Sequence, residues 1–82
     1  MPYIKQVNRE KFEAFFTSLG IVNLAPGELN YVMTRLLLLT NPISYGDYNK
    51  LIGVLECCKL EFYRRAVANY EDEKIVQNGD VY

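Results

Sequence analysis

Apolar and polar residues recur with a helical period near the start of the chain. Four apolar residues take the i, i+3, i+4, i+7 spacing of one helix face: Phe12, Phe15, Phe16 and Leu19. Asn8 suits the N-cap before this stripe, and Gly20 suits the position just after the last helical residue. The pattern therefore predicts a first helix over residues 8–19, preceded by an extended arm at residues 1–7.

A second apolar stripe predicts a second helix over residues 26–40. Pro26 is favoured at the first position of a helix, and the residue before Pro42 is biased away from helical geometry. On the side opposite the stripe, Tyr31 and Leu38 lie about 20° apart on a helical wheel. Two such side chains facing away from the core indicate a surface for a partner.

The third predicted helix is the longest. Ser44, followed three residues later by Asp47, is typical of a capped helix N-terminus, and no proline follows before Tyr70. We expect this helix, at residues 45–70, to end there. The acidic run that begins at Glu71 would otherwise oppose the negative C-terminal end of the helix dipole.

These elements indicate an all-α fold in one domain: two shorter helices packed on a long C-terminal helix, with an ordered or swapped tail at residues 71–82. Half of the 82 residues are hydrophobic. A chain of this size buries only about 60% of the surface that its unfolded form exposes, so its core is marginal without a partner. The surplus apolar surface favours self-association, as a dimer or a larger oligomer.

The long helix carries part of this surplus on a second apolar side. Gly53 costs a helix about 1 kcal/mol relative to alanine. With Cys57 one turn later, it forms a notch that suits close approach of another backbone, either in the same chain or in a second copy. The residues that we predict to form interfaces are Tyr31, Leu38, Gly53, Cys57, Leu60 and Tyr82.

A polar strip follows the same helix. Glu56 and Lys59 stand three residues apart and can form a surface ion pair, which is the simplest interpretation of both. The alternative is a ligand site, in which cations meet a phosphate and a tyrosine ring stacks on a base. The same choice applies to the arginines, since basic residues are also common near a helix C-terminus. The predicted ligand-binding residues are Glu56, Lys59, Tyr63, Arg64, Arg65 and Tyr70.

The amino-acid composition excludes most types of catalytic and metal site. The chain has no histidine, which excludes histidine metal sites and every Ser-His or Cys-His catalytic pair. Glu56 and Glu61 lie on different helix faces, and the sequence has no glycine-rich phosphate loop. We therefore predict no catalytic residue, no metal site and no cofactor. An enzyme, such as a hydrolase, is the weakest alternative.

The charge and the cysteine content indicate which partners and which cellular compartment to expect. A net charge of −1 disfavours nucleic-acid binding, which usually needs a strong positive excess. Cys57 and Cys58 are neighbours and cannot form a normal disulfide with each other. The sequence shows no secretory signal and no apolar run near the roughly 20 residues that span a bilayer. We expect a cytoplasmic protein without membrane contact.

The sequence resembles a family of short uncharacterised proteins known from bacteria, archaea and phages. The resemblance covers nearly the whole chain and lies in the segments MPYIKQ, PGELNYVMTRL, IGVLECCKLEFYRR, YEDEKI and NGDVY. It implies no established activity. The polar motif that it implies as shared consists of Glu28, Asn30, Glu56, Lys59, Tyr63, Arg64, Arg65, Tyr70, Glu71, Asp72 and residues 78–82.

Two functional hypotheses follow. The first is a non-catalytic helical homo-oligomer that sequesters a small anionic ligand, such as a nucleotide or cyclic nucleotide, by analogy with small phage proteins of that kind. The second is a protein-interaction module, either an inhibitor or an adaptor of a host or phage protein. In the second case Tyr31, Leu38 and the acidic tail make the contacts.

Overall fold

The computed structural model describes residues 3–21 and 23–82. Within this part of the chain every regular element is a helix, and no strand occurs. The all-α class is confirmed, as is the prediction of three helices with the longest at the C-terminus. Internal contacts divide the chain into two units, Met1–Pro42 and Ile43–Tyr82. The single domain stays a prediction.

The first unit begins with two short 3-10 turns, Gln6–Asn8 and Glu10–Phe12, which precede helix α1 at Glu13–Ile21. The prediction of an α-helix from Asn8 is therefore wrong over its first turns. The Asn8 N–H donates to the Lys5 carbonyl at 2.8 Å, and no side chain caps either 3-10 turn. Backbone N–H groups at the start of a helix need acceptors. Without a side-chain cap they donate here to carbonyls three residues earlier, which is the tighter 3-10 geometry.

Helix α2 spans Pro26–Leu38, with proline at its first position as predicted. The Glu28 carboxylate reaches back and accepts a 3.0 Å hydrogen bond from the Ala25 N–H. This is the reciprocal half of a capping box, and it gives Glu28 a structural role. The helix ends at Leu38 rather than at residue 40, because Asn41 adopts a left-handed φ of 55° shortly after it.

Helix α3 spans Tyr45–Phe62, and its predicted N-terminal cap is confirmed. The Ser44 hydroxyl accepts a hydrogen bond from the Asp47 N–H at 3.2 Å. In return Asp47 Oδ2 accepts from the N–H groups of Ile43 and Ser44 at 3.1 and 3.3 Å. The bond from Ile43, followed by those from Ser44, holds the pKa of the Asp47 carboxyl below its ordinary 3.8.

The long helix does not end at Tyr70. Helix α3 continues through a π-helical segment, Tyr63–Val67, into helix α4 at Ala68–Asn78, which makes one helix of 34 residues, Tyr45–Asn78. The predicted boundary is wrong because the helix continues for about two more turns. Its acidic residues therefore do not stand at the negative end of the dipole.

The long helix closes at Gly79, whose φ of 83° is open to glycine but strained for other residues. The Gly79 N–H donates to the Ile75 carbonyl at 2.9 Å. The non-helical tail is accordingly residues 79–82 and not residues 71–82.

Apolar side chains stay accessible in residues 3–20 and 23–82, where no residue is fully buried. Along one apolar face of α3, Leu51 and Leu55 are half-buried, but Cys58 is exposed and Phe62 is 64% exposed. Large apolar residues of the long helix that stay more than half exposed are Tyr45, Tyr48, Ile52, Val54, Leu60, Phe62, Tyr70 and Val76. Surface of this kind favours cover by another molecule.

Candidate functional site

All six residues predicted to bind a ligand lie on the long helix, and the first two form an ion pair. Lys59 Nζ lies 3.1 Å from Oε1 of Glu56, three residues earlier. The Lys59 and Glu56 side chains are 68% and 55% exposed, so water screens the pair. An exposed pair of this kind contributes little to stability.

The two arginines share one carboxylate. Arg64 Nη2 and Arg65 Nη1 each lie 3.6 Å from an oxygen of Glu61. Their side chains are 66% and 65% exposed, while Glu61 is half-buried. Because a guanidinium carries five N–H donors, each arginine retains the capacity to bind a further anion.

Tyr63 makes a contact that spans the π segment. Its hydroxyl donates a 2.8 Å hydrogen bond to Oε2 of Glu71, eight residues later. In an uninterrupted α-helix, residues eight apart are turned by about 80° relative to each other. The wider turns of the π segment rotate the backbone less per residue and bring both side chains to one side. The hydrogen bond and the negative charge of Glu71 raise the pKa of Tyr63 above its ordinary 10.0.

Two further contacts stabilise the helix around the π segment. The Asn69 amide donates a 3.0 Å hydrogen bond to the carbonyl of Arg65. Lys74 Nζ lies 5.4 Å from the ring centroid of Tyr70, which is cation–π geometry. Tyr70 is 59% exposed, so its ring remains available for stacking.

The predicted ligand-binding residues thus fall into separate groups along one helix. The groups are Glu56 with Lys59, Arg64 and Arg65 with Glu61, Tyr63 with Glu71, and Tyr70 with Lys74. From Glu56 to Lys74 the groups extend over about 27 Å of helix axis. Arg65 follows Glu56 by nine residues and lies roughly on the opposite side of the helix, so the exposed groups occupy more than one side of it.

Sequence reasoning missed the partners Glu61, Glu71 and Lys74. Glu61 stands three and four residues from the arginines, and Lys74 stands four residues after Tyr70, so helical spacing alone predicts both contacts. The contact of Glu71 with Tyr63 has no such signal, because it depends on the π segment.

The notch at Gly53 is open. Apart from the helix's own backbone, no described atom lies within 4 Å of a β-carbon placed on Gly53. Cys57 is exposed and Leu60 is 56% exposed. The described part of the chain therefore offers no intramolecular contact that explains the glycine.

The other predicted interface residues are also accessible. Tyr31 is 60% exposed and accepts a 3.0 Å hydrogen bond from Arg35 Nη1, whose guanidinium lies 5.8 Å from the ring centroid. Leu38 is 58% exposed. Tyr82 is fully exposed, and its N–H donates to Asp80 Oδ1 at 3.1 Å.

A groove in the first unit had no counterpart in the sequence prediction, which treated the arm as extended. Arg9 Nε donates a 3.0 Å hydrogen bond to the Ile4 carbonyl and so folds the arm back toward α1. The resulting groove encloses about 330 Å³. It is lined by Tyr3, Ile4, Arg9, Phe12, Glu13 and Phe16.

The chemistry on offer is ion pairing, hydrogen bonding and apolar contact. Across residues 3–21 and 23–82, no three His, Cys, Asp or Glu side chains cluster in a way that could hold a metal ion. Cys57 and Cys58 are both free. None of the helices that the structure describes has the length and apolar character needed to cross a membrane.

Comparison with known proteins identifies a family. Searches of curated proteins and of solved structures gave no match. A family model described as a domain of unknown function (DUF6899) matches residues 1–81, in agreement with the resemblance to an uncharacterised family. The chain belongs to this DUF6899 family.

Proposed function

We propose that this protein is a non-catalytic helical binding protein that works as a homo-oligomer through its long helix. The observation that carries the proposal is the exposure of large apolar side chains on more than one side of that helix. Leu60 and Phe62 lie about 160° apart on the wheel and are 56% and 64% exposed. Such surface on a short chain is removed from water most readily by another polypeptide.

The shifted pKa values of Tyr63 and Asp47 do not suit either residue to acid–base catalysis near neutral pH. Hydrogen bonding to Glu71 raises the pKa of Tyr63, and hydrogen bonding from Ile43 lowers the pKa of Asp47. Both values thereby move away from neutral pH. A general acid or base needs the opposite shift, toward the pH at which it works.

The mass in solution tests self-association. Sedimentation equilibrium from low micromolar to several hundred micromolar protein is expected to give a multiple of the 9.5 kDa chain mass. Association is expected to strengthen with salt that favours apolar burial, such as sulfate. A 9.5 kDa species over the whole concentration range contradicts the proposal.

A second candidate function, sequestration of a small anionic ligand such as a nucleotide, is favoured by one observation. Arg64 and Arg65 lie inside the π segment, and π turns within α-helices frequently occur at functional sites. Their side chains are exposed, and an incoming phosphate competes with a single shared carboxylate. Tyr70, five residues after Arg65, is 59% exposed, so its ring is accessible for stacking on a base.

Isothermal titration against a panel of nucleotides tests this candidate. We expect saturable heat with the wild-type chain, loss of that heat in the R64Q/R65Q variant, and retention in K50Q, which removes a charge elsewhere on α3. Binding heat that persists in R64Q/R65Q means that the nucleotide binds at another surface. No heat with any nucleotide excludes the candidate.

The cellular location belongs to the same proposal. Cys57 and Cys58 are exposed and free, which fits a reducing compartment such as the cytoplasm. Fractionation of cells that express the chain, with thiol labelling of the soluble fraction, tests this. Recovery of the protein in an oxidised, exported form contradicts it.

A further inference from the structure

We propose that a second copy of this chain packs antiparallel on the long helix, with the two Leu60 side chains at the two-fold axis between the copies. The part of the contact surface named here the Gly53 face consists of Gly53, Cys57 and Leu60. About a two-fold axis at Leu60, it lies against residues 60–67 of the second copy. The inference rests on the proposed self-association and adds the surface and the orientation.

Gly53 provides the room that close helix packing needs. A β-carbon at this position meets no described atom within 4 Å outside the helix backbone, so no contact in the described chain requires the glycine. A missing side chain lets another backbone approach closely. Cys57 and Leu60 follow four and seven residues later, and this spacing places all three on one face.

Leu60 provides the apolar contact. Its side chain is 56% exposed, and Cys57 beside it is a small, weakly polar neighbour that is exposed as well. A two-fold interface sets the same patch of both copies together, so Leu60 packs against Leu60 of the second copy. The contact removes apolar area from water on both helices.

Opposite charges flank Leu60 at equal distances along the helix and select the orientation. Glu56 stands four residues before Leu60 and Arg64 four residues after it. Arg64 is only the second residue of the π segment, so the smaller rotation per residue shifts it little and both lie near the Gly53 face. In an antiparallel pair about Leu60, each Glu56 stands opposite an Arg64 of the second copy, twice by symmetry. In a parallel pair, Glu56 stands beside Glu56 and Arg64 beside Arg64, and such like-charge contacts oppose association.

The contacts of these two residues within the chain leave them available. Glu56 pairs with Lys59 at 3.1 Å, and Arg64 pairs with Glu61 at 3.6 Å. The Glu56 and Arg64 side chains are 55% and 66% exposed. Because exposed helical ion pairs contribute little, exchanging them for a pair between copies loses little stability.

Charge reversal tests the antiparallel orientation. We expect E56R alone and R64E alone each to raise the dimer dissociation constant at least about tenfold, since each sets like charges opposite one another. The double variant E56R/R64E is expected to return close to the wild-type value. Sedimentation equilibrium of the four proteins measures this, with circular dichroism to compare their helix content. A double variant as weak as the weaker single variant excludes this orientation.

A steric block tests the surface independently. G53L is expected to keep its helix content, because the space beside Gly53 is open, yet to weaken the dimer at least about tenfold by keeping the helices apart. V54L is the matched control. It enlarges the next residue, which is 59% exposed and points about 100° away, and it is expected to associate like the wild type. A G53L chain that dimerises as well as V54L excludes the Gly53 face.

The outcomes separate this inference from the function on which it rests. A wild-type chain that stays monomeric at every concentration overturns self-association and the pairing with it. If the wild type dimerises and neither G53L nor either single charge reversal weakens the dimer, the proposed pairing alone is overturned. The exposed side around Phe62 is then the next candidate for the interface.

Discussion

The Tyr63 hydroxyl donates a 2.8 Å hydrogen bond to the carboxylate of Glu71, eight residues further along the same helix. Because the carboxylate accepts this bond and its charge disfavours the phenolate, the pKa of Tyr63 lies above its ordinary 10.0. The stabilisation that this contact contributes is therefore fully present below pH 10.0, and it is lost as the pH rises through the higher pKa of the folded state.

This contact predicts a late-titrating tyrosine. Tyr63 is expected to ionise above pH 10.0 in a titration followed by phenolate absorbance. Tyr63→Phe is expected to remove this component, and Glu71→Gln to shift it toward pH 10.0 by removing the charge. Tyr48→Phe, at another exposed tyrosine, should leave it in place. A late component that persists in Tyr63→Phe shows that another tyrosine carries it.

The parts of the fold that the sequence predicted correctly depend on local chemistry. Pro26 marks the start of α2, and Ser44 with Asp47 marks the start of α3, because each acts within one helical turn. The end of the long helix was predicted wrongly from the charge of Glu71. A dipole penalty at an exposed helix end is small, and the chain continues to the glycine signal at Gly79 instead.

In the candidate site too, only the contacts that follow regular helical spacing could be predicted from the sequence. Helical spacing predicted the Glu56–Lys59 ion pair, since a regular helix sets residues three apart side by side. It did not predict the Tyr63–Glu71 bond, because a π segment changes the register of everything after it and has no simple sequence signal. Beyond Val67, a wheel drawn at α-helical spacing therefore assigns faces incorrectly.

A side chain at position 79 is expected to strain the backbone without clashing with any neighbour. Its φ of 83° and ψ of 151° lie in a region that is essentially restricted to glycine, and a β-carbon there meets nothing within 4 Å. Gly79→Ala is expected to destabilise this helix end by about 1–3 kcal/mol. Hydrogen exchange of the Gly79 amide, which is bonded to Ile75, reports the resulting fraying.

The neighbouring residue supplies the control for this experiment. Asn78→Ala changes the last residue of α4, which has no positive φ, and is expected to leave protection of the last turn unchanged or slightly stronger. Equal protection in Gly79→Ala and the wild type means that the helix closes in another way in solution.

The cap at Asp47 predicts a pH dependence at the start of α3. The hydrogen bonds from Ile43 and Ser44 lower the pKa of the Asp47 carboxyl below 3.8. Its contribution to the cap is therefore present above pH 3.8 and is lost as the pH falls through the lower pKa of the folded state. A carboxyl-carbon NMR titration is expected to show Asp47 ionising below pH 3.8, and helix content should decline over the same range.

Two substitutions separate the charge of this cap from its hydrogen bonds. Asp47→Asn keeps an acceptor oxygen and removes the titration, so α3 should lose its local acid sensitivity with little loss of helix content at neutral pH. Ser44→Ala removes the reciprocal acceptor and is expected to cost about 0.5–2 kcal/mol of helix stability. An Asp47 carboxyl that ionises at or above pH 3.8 is incompatible with the bonds described.

One methyl group added at Gly53 is expected to stabilise the long helix and to weaken self-association. Gly53→Ala is expected to raise the stability of the isolated long helix by about 0.5–1 kcal/mol, because alanine loses less backbone entropy and the space beside it is open. The same methyl group lies on the Gly53 face and is expected to weaken self-association. Gly27→Ala in α2, where a β-carbon also meets nothing within 4 Å, should change association little. Thermal melts at low protein concentration and sedimentation at high concentration measure the two effects separately, and a stabler helix with unchanged association would leave Gly53 without a role between copies.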